Sequence, residues 1–308
     1  MTERPRIDAL TAEEVAAILR VNRNMVYGLA KAGDLRSYNV GRKLRFDLRD
    51  VQVYIEGSKG SPASGAAAPA EPSIAEGAFV VGGRDLLLDI LANYLAGAGI
   101  RVLRSYECSY RELVLLYLGR VQAAAVHLWD SSSGKYNLPF VKRLVPGTPV
   151  VVLHLAQRAQ GLLVRRDNPL GLRGWSDLLS TPLVLANRER GSGARVLLDE
   201  KLRLLEADPF QIEGYEREIV SDLAQGTLIA RGGADVGVGT ERVFHQIAGL
   251  DFLPLQTERL DLVVAKTPAT ARVIRAVRGF LGSEMFRNEL VSLPGYDFSH
   301  LGARLYET

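Results

Sequence analysis

Residues 57–73 read GSKGSPASGAAAPAEPS, and every one of them except Lys59 and Glu71 is Gly, Ser, Pro or Ala. This stretch offers no apolar side chain larger than alanine and no periodic pattern, so it predicts a flexible linker. A single core cannot run through it. The 308-residue chain must fold in parts, a small one over 1–56 and a large one over 74–308, in keeping with about two domains for this length.

Charge separates the same two parts. Between residues 20 and 49 stand Arg20, Arg23, Lys31, Arg36, Arg42, Lys43, Arg45 and Arg49 against Asp34 and Asp47, a net +6. The whole chain carries only +3, so the remainder sums to −3. A short, concentrated basic segment on a mildly acidic protein predicts a polyanion partner. No apolar run approaches the ~20 residues that cross a bilayer, and the opening MTERPRIDALTAEE has no apolar stretch of signal-peptide type. The single cysteine, Cys108, allows neither an internal disulfide nor a cysteine metal cluster. The expectation is a cytoplasmic protein with no membrane contact.

The small part reads as helix–turn–helix plus hairpin. Thr11 with Glu14 three positions later forms a capping box before Val15, Ile18 and Leu19. Asn22 caps a second helix, RNMVYGLAKAG, with Met25, Val26 and Leu29 expected to face inward and Gly33 to end it. LRSYNVGRKLRF alternates around VGRK, a hairpin signal, and Asp47 caps a last short helix. Residues 10–56 resemble the winged helix-turn-helix of the MerR-like excisionase family, whose pattern runs from a capped helix through V-S/N-R-x-T-V-Y to G-x-L, V-G, basic residues and R-F. One departure is Asn24-Met25, where that family often has Ser-Thr. A helix start fits the major groove of double-stranded DNA. The DNA-binding candidates are therefore Arg23, Asn24 and Tyr27 on the second helix, with Arg36, Arg42, Lys43 and Arg45 around the hairpin on phosphates or in the minor groove.

From residue 77 the pattern alternates strand and helix: AFVVGG, RDLLLDILANYLAGAG, IRVLRSYE, SYRELVLLYLGR, AAAVHLW. Later come VVVLHL, GLLVRR, PLVLAN, ADVGVG, DFLPL and LDLVVA, read as separate strands. This predicts an α/β domain with parallel sheets covered on both faces. VQAAAVHLWDSSSGKYNLPFV, GLLVRRDNPLG, NRERGSGARVLLDE and GYEREIVSDLAQGTLIARGGADVGVG resemble the cytoplasmic version of the type 2 periplasmic-binding-protein fold. The resemblance implies a two-lobed periplasmic-binding-protein-like domain preceded by the small winged head. Lobe 1 would span about 77–156 and 262–308, lobe 2 about 157–261, with hinges near 155–161 and 255–262. It also links the ligand to molybdate or tungstate.

Ligands of open α/β sheets sit at strand ends before helix starts. NRERGSGARVLLDE is such a junction: charged residues, then Gly191-Ser192-Gly193-Ala194, then a helix with Leu198, Leu202 and Leu205 at helical spacing. Bare amides and a hydroxyl at a helix start trap anions. The ligand-binding candidates are Gly191, Ser192, Gly193 and Ala194, Ser109 and Tyr110, His127, the arginines Arg84, Arg188 and Arg195, and Asp85, with Trp129 and Tyr215 as cleft walls. Each arginine has a second reading, a salt bridge to a carboxylate such as Glu189 or Asp85. His127 and His154 stand without partners at metal-ligand spacing, and RGSGAR lacks the G-x-S-x-G elbow. The reading is a ligand-responsive transcriptional regulator, a homodimer or higher homo-oligomer with no cofactor, sensing a small oxyanion. An organic anion, an amino acid or a molybdenum-cofactor metabolite is the alternative ligand, and an enzyme on the same fold using Asp85, Glu107, Asp130 or His127 is the lesser alternative.

Overall fold

The computed structural model describes residues 9–19, 21–32, 35–40, 43–51, 54 and 77–308; the side chains of residues 24, 31, 32, 39 and 40 are not among the features described. The linker expectation over 57–73 therefore lies outside the described residues. The chain divides into two compact units, Met1–Ser73 and Ile74–Thr308.

In the small unit, β1 (Ala9–Leu10), α1 (Ala12–Leu19), α2 (Arg23–Ala32), β2 (Tyr38–Val40) and β3 (Lys43–Asp47) follow one another. The capping box forms: Thr11 N donates to Glu14 Oε2 at 2.7 Å, and Glu14 N donates to Thr11 Oγ1 at 3.2 Å. Asn22 Oδ1 accepts the Met25 amide at 2.9 Å, which sets the start of α2. The strands lie in the order β1-β3-β2, all antiparallel, with Val40 opposite Lys43. Asp47 Oδ1 accepts from Arg49 N at 2.9 Å where residues 48–51 turn helical. Val15, Val26, Leu35, Phe46 and Val51 make the core. Met25, expected inside, is instead 52% exposed. Val26 takes the core position, and the 100° step between neighbours on a helix turns Met25 outward. The stop expected at Gly33 lies outside the described residues.

In the large unit, β4 (Phe79–Gly82), α3 (Leu87–Gly97), β5 (Val102–Ser105), α4 (Ser109–Tyr117) and β6 (Ala123–Val126) alternate. Here β4 pairs with β5 and β6 in parallel. The small β7 (Trp129–Asp130) and β8 (Lys135–Tyr136) and then α5 (Leu138–Leu144) follow. Next, β9 (Val150–Arg165) crosses into the second lobe. That lobe holds α6 (Asp177–Ser180), β10 (Asn187–Arg188), α7 (Gly193–Leu204), β11 (Glu218–Ile219), α8 (Asp222–Ala230), β12 (Val236–Thr240) and α9 (Glu241–Gln246). The return is β13 (Leu250–Ala265), after which α10 (Ala271–Leu281), α11 (Glu284–Leu290) and β14 (Arg304–Glu307) complete the first lobe. The long sheet runs β12-β9-β13-β6-β4-β5, with β14 also on β9.

Two expectations change here. VVVLHL and GLLVRR are one 16-residue strand, and so are DFLPL and LDLVVA. The polar residues between the halves read as breaks, yet both strands continue through them. The sheet is also mixed: β9 and β13 are antiparallel to each other, and β13 is antiparallel to β6. PLVLAN makes only isolated bridges at Val184 and Leu185 before β10.

The crossover pair gives the two lobes a common backbone. Leu262 faces Leu153 in the first lobe, and Leu253 faces Leu162 in the second. Each lobe covers its share of the sheet on both faces. Leu88, Leu91, Val277 and Phe286 pack on one side of the first lobe, and Leu113, Leu116 and Val141 on the other. Leu197, Leu198 and Leu202 cover the second lobe opposite Ile229 and Val243.

The two crossover strands meet closely at Gly161, where an added Cβ would fall on the Leu253 carbonyl. Backbone cannot yield there as a flexible side chain would. Gly161→Ala is expected to cost about 1–3 kcal/mol, as overpacking does, read as a lower urea midpoint at unchanged slope. An unchanged midpoint would show that the strands can part without cost.

Candidate functional site

A cavity of about 60 Å³ opens between the lobes. It has room for roughly four or five water molecules, so it suits a small ion or a compact metabolite and not a nucleotide. The first lobe supplies the Gly83–Asp85 loop after β4, the start of α4 at Cys108 and Ser109, and Ala125 and His127 at the end of β6. The second supplies Arg188, Glu189, Ser192 and Ala194, together with Asp222, Gly239, Thr240 and Arg242. Arg158 and Gln160 of β9 and Glu258 and Leu260 of β13 form the floor.

Two helix openings face this space from opposite lobes. Helix α7 starts after Ser192, an N-cap whose Oγ accepts from Arg195 N at 3.3 Å and donates to Glu189 O at 2.9 Å. The Ser192 hydroxyl proton is therefore committed. The amides of Gly193 and Ala194 come before any turn of helix that could accept from them. Helix α4 opens on buried Ser109 after Cys108, whose side chain makes no cap bond. The helix dipoles add a partial positive charge at both openings. Thr240, whose side chain makes no cap bond either, adds a hydroxyl.

The charges in the cleft neutralise one another. Arg84, Arg158, Arg188 and Arg242 line it against five carboxylates, Asp85, Glu107, Glu189, Asp222 and Glu258. Arg158 is buried, donating from Nη1 to Asp85 Oδ2 and from Nε to Glu258 Oε1, both at 2.6 Å. Asp85 also accepts from Tyr296 OH at 2.9 Å and from Leu87 N, the first residue of α3, at 3.0 Å. Arg188 pairs with Asp222 and donates to the carbonyls of Ile219 and Val220. Burial pulls the Arg188 guanidinium down to about 10, which leaves it charged at neutral pH. Arg84 reaches across the lobes, pairing with Glu189 and donating to Val220 O at 3.1 Å. The Tyr110 amide bonds Gly191 O at 3.1 Å across the same seam, so the lobes are closed on each other.

One group on the floor is not consumed in this way. Gln160 is 1% exposed, and its Oε1 accepts from Tyr136 OH at 3.1 Å. Gln256 Nε2 donates to the same hydroxyl. That chain fixes the Gln160 amide with its Nε2 donor in the cavity wall, where it has no partner among the described residues. His127 Nδ1 lies 3.2 Å from Glu258 Oε2, and its ring packs where a Cβ on Gly193 would stand. Burial would push the Glu258 carboxyl up, but Arg158 and His127 outweigh it and hold the group at about 2. The Cys108 thiol is pushed up by burial and stays protonated.

Of the sequence candidates, Arg84, Asp85, Ser109, His127, Arg188, Ser192 and Ala194 line the cavity. Gly191 and Gly193 serve the seam: a Cβ on Gly191 would press on Cys108 Sγ and Tyr110, and one on Gly193 would strike His127. Tyr110 stacks edge-on against Phe140. Trp129 and Tyr215 do not wall the cleft. Trp129 lies under Lys201 in the second lobe's core, and Tyr215 is buried there with its hydroxyl on Asp199 at 2.8 Å. Arg195 is spent on Asp199 and the Tyr215 ring. His154 is a buried core histidine, 2.8 Å from Asp261 Oδ1. Sequence reasoning missed Arg158, Gln160 and Glu258. Their signal was polar residues inside two long apolar strands.

In the small unit, Arg23 pairs with Glu13 at 2.8 Å and donates to Tyr27 OH at 3.1 Å. Arg36 and Lys43 are exposed, and Arg45 donates to Leu44 O at 3.0 Å. Arg42 and the Asn24 side chain lie outside the described residues.

Fold and cleft together define a two-lobed binding domain, and the head is a helix-turn-helix. The chain belongs to the PBP superfamily domain family, which matches residues 92–282; a helix-turn-helix domain family matches residues 9–59. A Bacillus subtilis (strain 168) relative, "Uncharacterized protein YvgK", is 36% identical over 304 residues, 97% of this chain and 98% of that protein. A Clostridium pasteurianum protein, named from the 5′ region of a 2Fe-2S ferredoxin gene, is 43% identical over 107 residues, 35% of this chain and 95% of its own length. A histidine kinase sensor domain described as similar to periplasmic binding proteins superposes with a TM-score of 0.51 at 14% identity, over 71% of this chain and 96% of that one. An ancestral arginine-binding protein bound to arginine gives 0.50 at 12%, over 71% and 99%. At such identities these two show the fold alone.

Arg158 is expected to be the electrostatic keystone of this cleft. Arg158→Leu strands two buried carboxylates and should cost about 3–5 kcal/mol at pH 7. In the parent, Glu258 contributes stability above the ordinary carboxylate range and loses it as pH falls from about 4.5 toward about 2. In the variant the same carboxyl, left with His127 alone, protonates at higher pH, so the deficit should shrink on acidification to pH 5. Urea melts at pH 7 and 5 measure this; a deficit independent of pH would contradict it.

Proposed function

We propose that this chain is a ligand-responsive transcription regulator whose C-terminal domain closes on a small oxyanion, molybdate or tungstate first, while its head reads operator DNA as a homodimer. The observation that carries the ligand reading is the pair of helix openings, α4 and α7, facing one small cavity from opposite lobes beside the unpartnered Gln160 amide. Four arginines against five carboxylates give the cleft no positive excess. Affinity for an anion then comes from oriented amide and hydroxyl dipoles. Such donors reach full length only when the lobes are together, so ligand favours the closed state by its differential affinity for it. The basic helix-turn-helix head supports the DNA reading, and one winged unit per chain supports the dimer that a palindromic operator would require.

One observation favours a second ligand class. Although each is paired, five cleft carboxylates against four arginines leave one negative charge in excess, which suits an ammonium group. An amino acid is therefore the competitor in the same cleft. The mutual pairing of the acids and bases supports binding in preference to catalysis.

Calorimetry of the full chain against molybdate, tungstate, sulfate, phosphate and arginine, with metal counted on the purified complex, decides the ligand. One molybdate or tungstate per chain is expected. Gln160→Glu turns a donor into an acceptor facing the anion and should weaken binding about 10- to 100-fold, the worth of a hydrogen bond to a charged group. Unaltered oxyanion binding in that variant, or binding of arginine alone, would overturn the oxyanion reading. DNA mobility shifts that ignore every ligand at millimolar level would overturn the sensing claim.

A further inference from the structure

Helix α2 presents a large apolar side chain, Met25, that its own domain does not use. Met25 is 52% exposed, while its neighbour Val26 is fully buried. The Asn22 cap on the Met25 amide places this residue in the first turn of the second helix of the helix-turn-helix. That turn is the part of such a helix that meets base edges. Among the described side chains beside it, Arg23 pairs with Glu13 and donates to Tyr27 OH, and its guanidinium lies 5.4 Å from the Tyr27 ring centre.

We propose that Met25 reads a thymine methyl group in the major groove of the operator. This rests on the DNA reading above and adds the feature recognised. The C5 methyl of thymine is the apolar mark that the major groove offers among its donors and acceptors. A thioether on a flexible, unbranched stem conforms to such a methyl and gains by leaving water. The segment around Met25 carries net positive charge, which holds the helix on the phosphates without sequence preference. The methyl contact supplies preference that charge alone does not.

The test uses the full chain and a randomised duplex library to recover a preferred sequence. Each thymine of that sequence is then replaced by uracil, which removes only the C5 methyl, and affinity is read by fluorescence anisotropy at one salt concentration. At one thymine per half-site the substitution should weaken the parent about three- to fivefold, the worth of one buried methyl. Met25→Ala should bind the thymine site more weakly by a similar factor and be indifferent to uracil there. Its affinity for unrelated DNA should stay unchanged, which shows that the head is folded. A parent indifferent to uracil at every position, or a Met25→Ala protein with the same uracil penalty, overturns this assignment and leaves the operator reading standing. A library that returns no preferred sequence overturns both.

Discussion

The buried guanidinium of Arg158, held between Asp85 of one lobe and Glu258 of the returning crossover strand, is the interaction on which the cleft depends. Three charges removed from water are tolerable only because they satisfy one another. Tyr296 and the amide of Leu87 complete the Asp85 shell, and His127 stands over the far oxygen of Glu258. The result is a rigid floor at the point where β9 and β13 pass from one lobe to the other. Motion of the lobes must be carried by the strands around that point.

Because the floor is electrically spent, selectivity falls to neutral donors. The amides at the starts of α4 and α7 and the Gln160 side chain are oriented by the fold before any ligand arrives. Tyr136 and Gln256 hold the Gln160 amide as the cap of Ser192 holds the α7 start. Such preorganisation favours a compact acceptor that several donors reach at once. The seam residues show the same economy of space: Gly191 and Gly193 leave room for Cys108, Tyr110 and His127 to meet the opposite lobe.

What the sequence revealed depended on how local the physics was. The capping box of Thr11 and Glu14, the Asn22 cap and the Ser192 helix start were all legible, because each is settled within four residues. The salt bridges of Arg84 and Arg188 were legible as one of two readings, and the structure carries that one. The floor was not legible. Gln157, Arg158, Ala159 and Gln160 interrupt an apolar pattern and read as a break between strands, whereas pairing with β13 keeps the strand extended and turns Arg158 and Gln160 into the cleft. Trp129 and Tyr215 looked like cleft walls because aromatic residues near strand ends often are; here Lys201, Arg195 and Asp199 draw them into the second lobe. Met25 read as core by periodicity, but a three-turn helix over a small sheet has only a narrow buried stripe.

The central claim is that two helix openings grip one anion. Amide hydrogen exchange on the full chain, followed by mass spectrometry with and without molybdate, tests it most directly. The account predicts slower exchange confined to peptides covering 108–111 and 191–196. Protection that appears elsewhere, or no change at saturating molybdate, would contradict it.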